Sequence, residues 1–149
     1  MTPGDIILLA HAAATAVMTG LIWFVQVVHY PLLARVCAAS FVEYEQAHVR
    51  RTTWVVAPAM LVEAATATAL PFVYPTQPGR ALAWGGLALL AVVWMSTALL
   101  QVPCHRRLAR GFDADVARRL VATNWIRTVC WSLRLFVALA LLAITATRT

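Results

Sequence analysis

Four apolar runs, each about twenty residues or longer, occupy positions 6–28, 53–73, 81–102 and 128–147 of a 149-residue chain. A hydrocarbon layer of ~30 Å takes about 20 helical residues at ~1.5 Å rise each, so every run has the length of one membrane crossing. Inside lipid the backbone must satisfy its own hydrogen bonds, and continuous apolar runs of this length do so as helices. The expected fold is therefore all-α: an integral membrane four-helix bundle of two helical hairpins, forming one domain over residues 1–149. A composition of 62% hydrophobic and 12% charged residues lies well outside the soluble globular range.

The net charge is +6, and all twelve basic residues are arginines. Their distribution argues against nucleic acid as a partner. Arg35, Arg50, Arg51, Arg106, Arg107, Arg110, Arg118, Arg119 and Arg127 fall in or beside the two connections joining runs 1 to 2 and 3 to 4, whereas the other side holds Arg80 and Arg148. The positive-inside rule then places both connections in the cytoplasm and both termini on the non-cytoplasmic side of a multi-pass protein of the inner (plasma) membrane. The start Met-Thr-Pro-Gly-Asp has no basic n-region, and the run from Ile6 is too long for an h-region, so the first helix is expected to be retained. Trp23, Trp54 and Trp125 on one boundary, and Tyr74 and Trp84 on the other, fit an aromatic belt. Cys37, Cys104 and Cys130 form no CxxC pair and are expected as free thiols.

The two Arg-rich connections resemble each other. Pro31, Arg35, Phe41, Arg50-Arg51 and Trp54 are echoed by Pro103, Arg110, Phe112, Arg118-Arg119 and Trp125, a pattern that suggests a duplicated hairpin. Ser40 with Glu43 reads as a capping box, and Asp113 reads as the cap of a helix running into the last crossing. Pro58 and Pro71 should kink the second helix or sit where neighbours re-satisfy its backbone, and Gly85-Gly86 should permit close helix contact.

Polar residues recur every three or four positions, which puts them on one face of each helix. The stripes are His11, Thr15, Thr19, Ile22, Gln26 and His29; then Glu45, His48, Thr52, Val55, Ala59 and Glu63; then Trp94, Thr97, Gln101 and Cys104 or His105; then Asn124, Arg127 or Thr128, Trp131 and Arg134. Lipid cannot satisfy these groups, so the four faces should converge on the bundle axis. Glu63 and Arg134 stand out, because an ionised side chain at bilayer depth costs on the order of 3 kcal/mol. They are expected either to pair between helices or to face a substrate or proton path. His29, Glu45, His48 and His105 cluster at the cytoplasmic end. Glu45 and His48 make an i, i+3 pair of the kind found in di-iron bundles, but the second Glu-x-x-His of such a site is missing. No cofactor is expected, with metal or haem at these four residues as the alternative; His11 reads as structural or interfacial.

The second half, with Thr97-Ala-Leu-Leu-Gln101-Val-Pro103-Cys-His-Arg-Arg-Leu108 and then Asn124-Trp125-Ile-Arg127-Thr128, resembles the anthrone-oxygenase-like family of small four-helix membrane proteins. His105 or Cys104 stands where that family usually carries Asn. The resemblance implies oxygenation of polycyclic aromatic phenols without an evident cofactor. On that footing a lipophilic aromatic or quinone-like molecule would enter from lipid and be bound by Trp94, Gln101, Trp125, Trp131, Glu63 and Arg134. His29, His48 or His105 would take its proton, and Asn124 and Arg127 would hold the oxyanion. Two other readings stay open: a solute or proton binding and transport protein, which would need a homo-oligomer, and a structural accessory subunit.

Overall fold

The computed structural model describes residues 1–74 and 77–147, and among them the regular structure is entirely helical. Four helices are long and apolar enough to cross a membrane: α1 (Pro3–Leu33), α2 (Phe41–Val73), α3 (Gly79–Leu108) and α4 (Ala114–Ala146). Each extends past its apolar run, because helical periodicity continues where the residues turn polar. The Tyr74–Arg80 turn falls partly outside the described residues, and Arg148 wholly so.

Each helix packs against two neighbours. α1 lies beside α2 and α4, and α3 beside α4 and α2, while the diagonal pairs make no close backbone approach among the described residues. Their outward faces are apolar, with Leu99 70% and Leu139 51% exposed, whereas Arg134, Gln101 and Glu45 are among the largest fully buried side chains. Apolar surface outside and charge inside is the arrangement that lipid favours and water does not.

α1 and α3 each contain one widened turn, at Val25–His29 and Thr97–Gln101, in which the closing bond skips a residue: Tyr30 N–H donates to the Val25 carbonyl and Val102 N–H to that of Thr97. The two turns lie 72 residues apart, as do Pro31 and Pro103, which follow them at the same offset. A proline has no N–H and crowds the carbonyl four residues back, so a π-type turn just before it accommodates the ring. This repeated device, with α2 and α4 both 33 residues long, matches the duplication suggested by the connections. The extra residue also advances the helix phase, which matters for the site below.

Several local expectations need correction. Ser40 makes no side-chain cap; its backbone is already helical and its hydroxyl bonds the Cys37 carbonyl instead. Asp113 does cap α4, accepting from the N–H groups of Asp115 and Val116, and the Val116 bond above all holds its carboxyl below the usual carboxylate range. α2 continues as one helix through Pro58 and Pro71. Gly86 provides the close helix contact, since a Cβ there would come within 3.3 Å of Val137, whereas Gly85 faces open space. Tyr74 is buried rather than a belt residue, its hydroxyl bonding the Leu141 carbonyl and Thr145. Val55 is 60% exposed, because the inward line of α2 runs instead through Val56 and Met60 to Glu63.

Candidate functional site

Two polar nodes, at different depths, each draw on all four helices. The first surrounds Glu63 in the middle of α2. Its Oε1 accepts from Arg134 Nη2 at 2.9 Å, Arg134 Nε at 3.1 Å and Thr15 Oγ1 at 2.9 Å, and its Oε2 accepts from Trp131 Nε1 at 3.0 Å. Arg134 Nη1 donates to the Gly86 carbonyl on α3. Both charged side chains are buried to 1% exposure or less, and both lobes of the carboxylate are satisfied. The pair crosses the diagonal of the bundle and fixes the helices relative to one another. Nearby, His11 Nδ1 is 3.0 Å from Thr66 Oγ1 and is buried, a structural contact.

The second node lies toward the Arg-rich end and is a chain. Glu45 Oε1 is 2.6 Å from His105 Nδ1, and His105 Nε2 is 3.0 Å from the Tyr30 hydroxyl. Tyr30 OH accepts from Arg127 Nη2 at 3.4 Å, and the same nitrogen donates to Gln101 Oε1 at 3.4 Å. With Glu45 as a carboxylate, which only accepts, the His105 tautomer that satisfies both contacts carries its proton on Nδ1 and leaves Nε2 to accept from Tyr30. Arg127 is held from behind: its Nε donates to Asn124 Oδ1 at 2.9 Å, and Asn124 Nδ2 donates to Gln26 Oε1 at 2.8 Å. Gln101 Nε2 in turn donates to Thr123 at 2.9 Å. No carboxylate forms an ion pair with Arg127 among the described residues.

A cavity of about 660 Å³ opens onto this second node. Tyr30, Gln101, His105 and Arg127 form its polar wall, and Ile22, Val56, Met60 and Trp131 are among its apolar lining. The exposed members of that lining all belong to α2 and α3, Thr53 and Leu61 on one side and Trp94 and Arg106 on the other among them, so the cavity reaches the surface between these two helices. Its size is within the range of small-molecule sites.

The residues expected from the sequence thus divide. His48, His105, Arg127, Gln101, Trp94 and Trp131 line the cavity. Asn124 is completely buried behind Arg127 and positions it without reaching the cavity. Glu63 and Arg134 lie outside the lining, in the closed node. Trp125 is 45% exposed and meets Trp23 edge-on at 5.7 Å on the α1–α4 surface, since it sits ~100° around the helix from Asn124. His29 also misses the cavity. Its ring stacks on His48 at 4.3 Å and on Tyr44 at 6.3 Å, and its Nε2 is a buried atom with no partner, as is Glu45 Oε2. Stacked rings direct their in-plane nitrogens past one another, and among the described residues no three His, Cys, Asp or Glu side chains are arranged to hold a metal ion. The three cysteines are free.

Tyr30, the residue sequence reasoning passed over, is 4% exposed and occupies the inward position that the stripe assigned to His29. The widened turn at Val25–His29 explains the exchange, because one extra residue per turn delays the inward face by one position. Pro31 was the available signal. Comparison of the chain with family models, curated proteins and solved structures finds no match in any of the three.

Proposed function

We propose that this chain is a multi-pass protein of the inner (plasma) membrane, with its termini outside, that takes a lipophilic phenol or quinone-like molecule from the bilayer through the α2–α3 opening and acts on it as an oxidoreductase. The observation that carries the reading is the Glu45–His105–Tyr30 chain, which ends beside Arg127 on the wall of a largely apolar cavity. A base oriented by a carboxylate, set against a guanidinium, is an arrangement for removing a proton and holding the oxyanion that results. Trp94 and Trp131 supply flat apolar surfaces for a ring.

The resemblance to the anthrone-oxygenase-like family supplies the reaction class. An anthrone that loses a proton to the Tyr30–His105 pair becomes an electron-rich enolate; dioxygen oxidises it, one oxygen atom becoming the new ring carbonyl and the other leaving as water. The chain's own part is to bind the ring, accept the proton at His105 Nε2 by way of the Tyr30 hydroxyl, and stabilise the anion through Arg127.

Reconstituted protein supplied with 1,8-dihydroxyanthrone and air should form the anthraquinone and consume dioxygen faster than protein-free vesicles do, and His105→Ala should bring the rate down to theirs. Equal rates with and without protein would remove the oxygenase reading. Sidedness is tested separately by cysteine labelling with Cys37, Cys104 and Cys130 replaced: Gly111→Cys should react only from the cytoplasmic face and Gln77→Cys, at an exposed position, only from outside.

A further inference from the structure

The cavity is polar in two places. One is the wall formed by Tyr30, His105 and Arg127; the other is the rim nearer the Arg-rich end, where Arg50 of α2 and Arg106 of α3 join the lining. Both rim arginines are exposed, and neither is in an ion pair among the described residues. Arg107 and Arg118, on the same surface, are paired with Asp113 and Asp115. Arg35, Arg51, Arg110 and Arg119 are also without an ion pair, but they do not line this cavity. No carboxylate is part of the cavity lining among the described residues, and Glu45, bonded to His105, is fully buried behind it.

Along α2 the lining runs from Gln46 to Leu61, about 22 Å at helical rise, and its character changes from polar and cationic between Gln46 and Arg50 to wholly apolar from Val56 onward. A neutral ring compound would match the apolar part and leave two guanidiniums of the lining without an anionic partner. A molecule with an anionic group at one end of a flat or chain-like apolar body would match both. Resting on the reading above, we infer that the occupant is an acidic amphiphile whose carboxylate or phosphate lies between Arg50 and Arg106, with its apolar body extending toward Leu61 and Trp94. Planar guanidinium forks from two facing helices suit such an oxyanion, and a phospholipid headgroup offers the same chemistry as an acidic substrate.

Quenching of tryptophan fluorescence in the detergent-solubilised protein tests this with two probes, anthraquinone-2-carboxylate and neutral 2-methylanthraquinone. The carboxylate should bind about tenfold more tightly, and the Arg50→Gln/Arg106→Gln variant should reduce that preference to near one. Retention of the carboxylate under excess phosphatidylglycerol assigns the rim to a substrate's own acid, and displacement by phosphatidylglycerol but not phosphatidylcholine assigns it to an anionic lipid. Equal binding of the two probes overturns the inference and leaves the proposed function standing. A preference that survives in the double variant also overturns it, because Arg127 would then hold the acid. Saturable binding of neither probe removes both.

Discussion

Arg134 and Arg127 lie on the same inward face of α4, two turns apart, and the protein treats them oppositely. Arg134 is bound to a carboxylate, the carboxylate is bound to four donors, and 1% of the arginine is exposed. Among the described residues Arg127 has only neutral partners, Asn124, Gln101 and Tyr30, and it faces a cavity. A buried ion pair whose two carboxylate oxygens both accept hydrogen bonds holds helices in register, and it lies outside the cavity where a ligand could reach it. A guanidinium held rigidly from behind, with a face toward open volume and no counter-ion beside it, has a place reserved for an anion. Charge inside a membrane bundle is therefore not one signal but two, and the partners distinguish them.

The largest expected effect breaks the closed node. Glu63→Leu strands Arg134 without its carboxylate and should lower stability by about 3–5 kcal/mol, while Glu63→Leu/Arg134→Met should recover most of that loss. Thermal unfolding of the solubilised variants checks it; a double variant no better than the single would mean that the pair does more than neutralise charge. At the open node the ranking of stability and activity reverses. His105→Ala should reduce turnover by about 10²-fold or more with the bundle still folded, because proton transfer rather than packing is lost. Tyr30→Phe should cost about 1 kcal/mol of stability through its two hydrogen bonds and about tenfold in rate. Arg127→Lys should also lose activity, since an ammonium cannot reach Asn124, Tyr30 and Gln101 with one planar fork.

Smaller effects separate the two tryptophans once assigned to one site. Trp94→Phe should weaken probe binding by about two- to tenfold, the range of one aromatic contact, and Trp125→Phe should leave it unchanged. Smallest of all is the α4 cap. The Asp113 carboxyl is held below its ordinary value by the Val116 N–H, so its contribution is complete above about pH 4 and disappears as pH falls through the lowered value. Asp113→Asn should remove that acid-side slope from the unfolding profile.

Much of the architecture was legible because hydropathy acts over whole segments. The four helices and the inward stripes follow from a 3.6-residue period, and the cost of charge in lipid left Glu63 and Arg134 as either a pair or a substrate-facing set, of which the structure has the pair. What could not be read was a single extra residue. The turns at Val25–His29 and Thr97–Gln101 shift the phase of α1 and α3 and exchange Tyr30 for His29, so that the Glu45–His105 part of the expected cluster continues to Tyr30 while His29 stays outside the cavity. Trp125 lies at the surface and not in the cavity, because ~100° per residue turns it away from its inward neighbour Asn124.

The difference between the nodes is most directly measured by thiol accessibility in vesicles. With Cys37, Cys104 and Cys130 replaced by serine or alanine, Thr97→Cys on the cavity wall and Thr15→Cys beside Glu63 are each exposed to a lipid-soluble maleimide. Rapid labelling of Thr97→Cys, slowed by 2-methylanthraquinone, together with no labelling of Thr15→Cys, is the result expected of one open and one closed node. Equal labelling at the two positions, or no protection at Thr97→Cys by the quinone, would contradict it.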